Sequence, residues 1–143
     1  MRRAVRFLRL PAAERRLAAE AALTLALVCV LLKALPFARV LRLLGLHGPD
    51  RPAAGGVDAP AARAVSRAVA RASRNLPFPA ACLPQAAAAA LMLRRRGLAV
   101  EVHFGVAKRD GAVEAHAWSR CGGVTVSGGA EVPRFSPIAV FRA

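Results

Sequence analysis

Between residues 82 and 106 the chain reads CLPQAAAAALMLRRRGLAVEVHFGV, and inside that span its apolar period changes from that of a helix to that of a strand. Alanine loses almost no side-chain freedom in a helix and carries no branch at Cβ, so the alanine run commits residues 83–96 to one. Pro84 sits in the first turn, where a missing N–H leaves no intrahelical acceptor unsatisfied, and Gly97 is suited to end the last turn. Arg94, Arg95 and Arg96 face the carbonyl end of the helix dipole. From Val100 the period is two: Val100, Val102, Phe104 and Val106 share one face, and Glu101 and His103 the other. KRDGA turns the chain, VEAHAWS returns it, and RCGG turns it again into VTVSG. Three short antiparallel strands packed on one helix make the expected fold class α+β.

With 143 residues the chain has material for one core. From Leu17 to Leu35 it is apolar nearly all round, interrupted by Glu20 and Lys33 and closed by Pro36, which reads as a helix. The charge-free part, Ala21 to Leu32, is shorter than the roughly 18–20 residues of a membrane span. Arginines precede it, as in a signal peptide, but no small-residue cleavage site follows. The next residues, KALPFARVLRLLG, resume an amphipathic pattern with Arg39 and Arg42, so a buried or membrane-peripheral helix is the expectation. Residues 1–46 thus form a hydrophobic and amphipathic helical segment, and residues 47–60 a glycine- and proline-rich linker with His47 as a solvated loop residue. Residues 61–143 form the core domain. It opens with a helix whose Val65 and Val69 lie inward and whose Arg63, Arg67, Arg71 and Arg74 form a wet outer face.

Lys and Arg number 22 against 8 Asp and Glu, a net charge of +14. Those charges are spread along a chain without tyrosine, and no basic run interleaves with aromatics, which argues against a nucleic-acid surface. A peptide partner, or peripheral contact of the N-terminal helix with an anionic membrane, suits the same charge. The three cysteines, Cys29, Cys82 and Cys121, match no zinc-ligand spacing and cannot close a complete disulfide set, which points to a reducing compartment. Cys29 lies in the apolar run as a packing residue and Cys121 in the SRCGGV turn. Cys82 is different, because unpaired N–H groups at a helix start favour an anion and can receive the oxygen of a tetrahedral intermediate. His116 lies 34 residues downstream on the second strand, beside Trp118, and offers a base. His103 faces the other way from the valine stripe and reads as exposed. Trp118 either shields the pair from water or completes the core. A cysteine opening a helix followed by a histidine on a strand is the order of papain-like and transglutaminase-like hydrolases.

The segments CLPQAAAAALMLRRRG, HFGVAK, AHAW and GGAEVPRFSPIAVF, together with LPFARVLRLLG, resemble the leader-peptidase component of lasso-peptide biosynthesis. That component is the stand-alone C-terminal half of the split B protein, with a transglutaminase-like fold, and the resemblance covers nearly the whole chain. It implies a cytoplasmic cysteine peptidase that needs no cofactor or metal and removes the leader from a ribosomally made precursor peptide. A small leader-recognition protein and an ATP-dependent cyclase would be its partners. By the same resemblance Cys82 is the nucleophile and His116 the general base and acid. The family places an acid about a dozen positions after the histidine to orient the ring, but this chain has VSGG there, with Ser127, Gly128 and Gly129. Glu131, the nearest downstream acid, is the expected third member, with Glu114 and Asp110 as the other candidates. Two other readings are a membrane-associated basic adaptor without catalysis and a transglutaminase-like amide transferase.

Overall fold

In the computed structural model residues 7–143 are described, and the arginines at positions 2, 3 and 6 lie outside the described residues. Four longer elements are helical: α1 (Ala12–Ala34), α2 (Phe37–Leu43), α3 (Ala59–Asn75) and α4 (Cys82–Arg95). The strands are β1 (Glu101–Arg109), β2 (Ala112–Cys121), β3 (Val124–Ser127) and β4 (Ser136–Arg142). They form one sheet in the order β3-β2-β1-β4 with every neighbouring pair antiparallel. The class is α+β, as the change of period implies.

Local chemistry sets the boundaries. Leu35 ends α1 in an extended conformation because Pro36 comes next, and the proline ring clashes with a helical predecessor. Asp58 caps α3 by accepting from the Ala61 N–H at 2.9 Å, and Pro60 lies in the first turn. Between β1 and β2 only Asp110 and Gly111 remain, both at positive φ (49° and 82°), the combination that a two-residue hairpin turn with the twist of its strands requires.

At the centre lies α4. Ala86 through Ala90 are each no more than 3 % exposed, so this helix is covered on all sides, by α1 and α3 and by the sheet. The amphipathic α3 buries Ala62, Val65, Ala68, Val69 and Ala72 and leaves Arg63, Arg67 and Arg74 in water, as its spacing implies. The inner face of α1, with Ala21, Leu25 and Val28, joins the same core cluster as α3, α4 and the sheet. Across 76 residues of sequence Arg96 grips the Glu20 carboxylate with two hydrogen bonds of 2.9 and 2.6 Å and holds α1 against the end of α4. The outer face of α1 has no such cover: Leu23, Leu27 and Val30 are 73 %, 46 % and 61 % exposed. By length and composition α1 could cross a membrane, yet one face of it is part of the protein core.

Three features depart from expectation. A fourth strand, β4, covers the outer edge of β1, with a register shift between Phe104 and Gly105. Its sequence, SPIAVFR, carries a proline and lies at the sheet edge, where a missing N–H is tolerated and the usual alternation is weak. Cys121 closes β2 and is fully buried instead of lying in the turn that comes after it. The linker is also tied down, since His47 and Arg142 exchange backbone hydrogen bonds of 2.8 and 2.7 Å.

Arg142 also ties β4 to β1 through its hydrogen bond to Glu101 at 2.8 Å, and this guanidinium, helped by His103 and opposed by burial, holds the Glu101 carboxyl below its usual 4.5. A depressed carboxyl contributes stability above its unfolded-state value and loses it as pH falls through the folded-state value. Thermal melts of Glu101→Gln are therefore expected to be less stable than wild type at neutral pH and to converge with it in acid below 4.5. In denaturant titrations Leu25→Ala is expected to lose about 2–5 kcal/mol, whereas Leu27→Ala on the uncovered face stays within about 0.5 kcal/mol.

Candidate active site

Cys82 is the first residue of α4, half-buried and packed against the core cluster. Ala81 before it is extended (φ −70°, ψ −175°) and has no side-chain acceptor, so no side chain caps this helix start. Pro84 contributes no N–H, and the donors left open in the first turn are those of Cys82 and Leu83. Gln85 steadies the entrance: its backbone N–H reaches the Ala81 carbonyl at 3.3 Å, and its side-chain amide donates to the Ala80 carbonyl at 2.8 Å. The result is a thiol beside two uncommitted backbone donors, a place where a negatively charged oxygen can be held.

His116 stands on β2 opposite Gly105 of β1. Its ring is held between two aromatics, Trp118 at 5.9 Å and 21° and Phe135 at 4.8 Å and 28°. Trp118 is 2 % exposed, and the space for it comes from Gly105, where a Cβ would lie 2.9 Å from two of its ring carbons. On its other side Trp118 stacks on His103 at 5.5 Å and 9°. His103 is therefore not a free surface residue, as its strand face suggested; it is part-buried and bonded to Glu101 at 3.1 Å. The stacking of two histidines on one tryptophan follows from β2 spacing and the β1–β2 register, which places His103 directly opposite Trp118.

The His116 ring is further held by Gly128, whose carbonyl lies 3.1 Å from Nε2. A carbonyl oxygen only accepts, so Nε2 carries the proton in this contact. Nδ1 has no hydrogen-bond partner among the described residues.

The acids stand elsewhere. Glu131 is exposed and its carboxylate is taken by Arg134; it makes no hydrogen bond to His116. Glu114 faces Arg134 at 3.4 Å and Arg109 at 4.0 Å, and Asp110 occupies the exposed β1–β2 turn. Order along the chain points to Glu131 as the ring's partner because it is the next acid downstream; the arginine three residues away competes for it more strongly. Phe135 and Gly128 were not anticipated. A glycine pair after a strand reads as a turn, and only the fold shows that one of its carbonyls is used.

Cys82 and His116 are not hydrogen-bonded to each other among the described residues. Neither of them lines the cavity of about 270 Å³ that is walled by Gln85 from the first turns of α4, by Val69 and Ala70 of α3, and by Ser127, Gly128 and Gly129 at the end of β3 and beyond it. A larger hollow of about 650 Å³ lies between α1 and the end of α3, with Phe7, Leu10, Ala18 and Ala22 on one side and Arg71, Arg74 and Leu76 on the other. Among the described residues no group of three or more His, Cys, Asp or Glu could hold a metal ion.

Compared with known proteins, residues 22–140 match the family model of the transglutaminase-like superfamily. No curated protein and no solved structure matches the chain.

The three thiols differ enough to be told apart chemically. Burial pushes the Cys29 thiol up, with Lys33 opposing, and Cys121 is fully buried behind the sheet. In peptide mapping after brief iodoacetamide treatment of the folded protein, Cys82 is expected to be carboxamidomethylated first, Cys29 more slowly, and Cys121 only once the protein is unfolded.

Proposed function

The chain belongs to the transglutaminase-like superfamily of cysteine hydrolases and transferases, and from that membership we propose that it is a cysteine peptidase that removes the leader from a ribosomally made precursor peptide during lasso-peptide maturation. In this reading Cys82 is the nucleophile and His116 the general base and acid. The observation that carries it is the half-buried Cys82 thiol at the uncapped start of α4, beside two open backbone donors. Catalytic hydrogen bonds in unliganded enzymes are often long and tighten when substrate arrives, so a direct sulfur–imidazole bond is not required beforehand.

The Cys82 thiol gives its proton to His116, and sulfur attacks the carbonyl carbon at the leader–core junction. The oxygen that takes up the electron pair is met by the N–H groups of Cys82 and Leu83, which no other residue caps. Collapse of the tetrahedral intermediate breaks the C–N bond, and the imidazolium returns the proton to the departing amine of the core peptide. Water, deprotonated by the same ring, then attacks the thioester; leader carboxylate departs and the thiol is restored. Trp118 and Phe135 stack on the imidazole and hold its orientation. A small leader-recognition protein would deliver the substrate and an ATP-dependent cyclase would consume the product. The hollow between α1 and α3, lined by apolar side chains together with Arg71, Arg74 and Asn75, suits a peptide carrying apolar and acidic side chains.

A second reading, a basic adaptor that sits on an anionic membrane, draws on the uncovered stripe of Leu23, Leu27 and Val30 and the charge of +14. The two part on one measurement, made with purified protein, precursor peptide and leader-recognition protein and read by mass spectrometry. Cys82→Ala and His116→Ala are each expected to lower leader release by on the order of 10³-fold or more with unchanged circular dichroism. Full release by Cys82→Ala would remove the peptidase reading. A leader amide formed when a competing amine is added would instead identify amide transfer.

A further inference from the structure

We infer that the backbone carbonyl of Gly128 is the group that orients the catalytic imidazole in this chain, a task otherwise given to an acidic side chain, and that it thereby leaves Nδ1 of His116 as the atom free to accept a proton. The inference rests on the Cys82–His116 reading and specifies how that pair is built.

Five observations converge on it. Gly128 O lies 3.1 Å from Nε2 and twelve residues after His116, on the segment that leaves β3. Because the acceptor cannot donate, the contact selects the tautomer with hydrogen on Nε2 and a lone pair on Nδ1. The position excludes any side chain: a Cβ on residue 128 would stand 2.7 Å from Nε2, 3.0 Å from the Ala117 carbonyl and 3.0 Å from Trp118 Cβ. Gly128 also has φ +74°, in the left-handed region where glycine is unstrained, and this bend carries the chain out of β3 and past the ring. An acid at 128 would thus occupy the space the imidazole needs, and only a backbone oxygen fits. Trp118 and Phe135 stack on the ring and limit its tilt. The competing acid, Glu131, is paired with Arg134.

Gly128 in this role is a positioning residue, since its carbonyl touches the base and not the substrate. Its removal should leave substrate binding nearly intact and lower turnover, because small misplacements of a reacting group cost on the order of 10²-fold.

Two measurements test this with the full chain. Long-range ¹H–¹⁵N correlation spectra of the wild-type protein, in buffer alkaline enough to keep imidazoles neutral, report each ring's tautomer. For His116 the expected result is the Nε2–H form with a slowly exchanging proton, and with ¹³C-carbonyl glycine a coupling from Nε2 to Gly128 across the hydrogen bond. His47, exposed in the linker, is the internal reference for a freely exchanging ring. An Nδ1–H tautomer at His116, or exchange as fast as that of His47, would overturn the inference. Kinetically, Gly128→Ala is expected to reduce kcat on the order of 10²-fold with KM within about twofold, while Gly123→Ala, in open space at the preceding turn, matches wild type. A Gly128→Ala enzyme with wild-type kcat would count against it equally. If that variant does not fold, the wild-type spectra decide alone. The outcomes also separate this idea from its premise: an active Cys82→Ala enzyme defeats the Cys–His reading whatever the tautomer, and a wrong tautomer in a Cys82-dependent enzyme defeats only the role of Gly128.

Discussion

The fold depends on close approach to the middle of α4, where five consecutive side chains are methyl groups. Ala86 to Ala90 are buried within 3 % on every side, so α1, α3 and the sheet all come nearly to the backbone of α4. A larger residue at any of these five positions would push one of these partners away, at the cost that overpacking imposes on a dense interior. This tight central helix presents Cys82 at one end on a rigid support. It also explains why the N-terminal helix, separate in sequence terms, shares one core with the rest: α4 has more surface to cover than α3 and four strands supply. Functional groups set on helices and strands are held more narrowly than groups on loops, and here the thiol opens a helix while the imidazole stands mid-strand.

Much of this was legible in the residues. The alanine run, the change of period at Val100, the hairpin at Asp110–Gly111 and the arginine face of α3 each result from local rules that act within a few residues, and all are found. The transglutaminase-like superfamily that the resemblance implies is likewise found, over residues 22–140. The features that escaped the sequence depend on groups far apart along the chain. Whether His103 meets water or Trp118 is settled by the register between β1 and β2, and the burial of Cys121 by where the sheet meets α4. The isolated Gly105 inside a strand pattern was a readable sign that something approaches the backbone closely. That something is the Trp118 ring. Gly128 was marked only as standing where the resemblance expects an acid; a carbonyl oxygen belongs to every residue and its use is a matter of geometry alone.

The choice of a carbonyl over a carboxylate fits the charge balance. Against 22 basic residues the chain has 8 acids, and each of its five glutamates, Glu14, Glu20, Glu101, Glu114 and Glu131, pairs with an arginine or, for Glu101, with both Arg142 and His103. Of the aspartates, Asp58 is spent on capping α3 and Asp110 on the hairpin turn. A carboxylate placed beside His116 in such a chain would have guanidinium groups competing for it; Arg134 is already near, over the Phe135 ring at 5.8 Å and bonded to Glu131. Arginine forks bind carboxylates more strongly than an imidazole N–H does, and they can pull an acid out of line. A backbone carbonyl carries no net charge for them to capture, and its position is set by β3 and the turn after it. In a protein this rich in arginine, an uncharged acceptor built into the main chain is the orienting group least open to diversion.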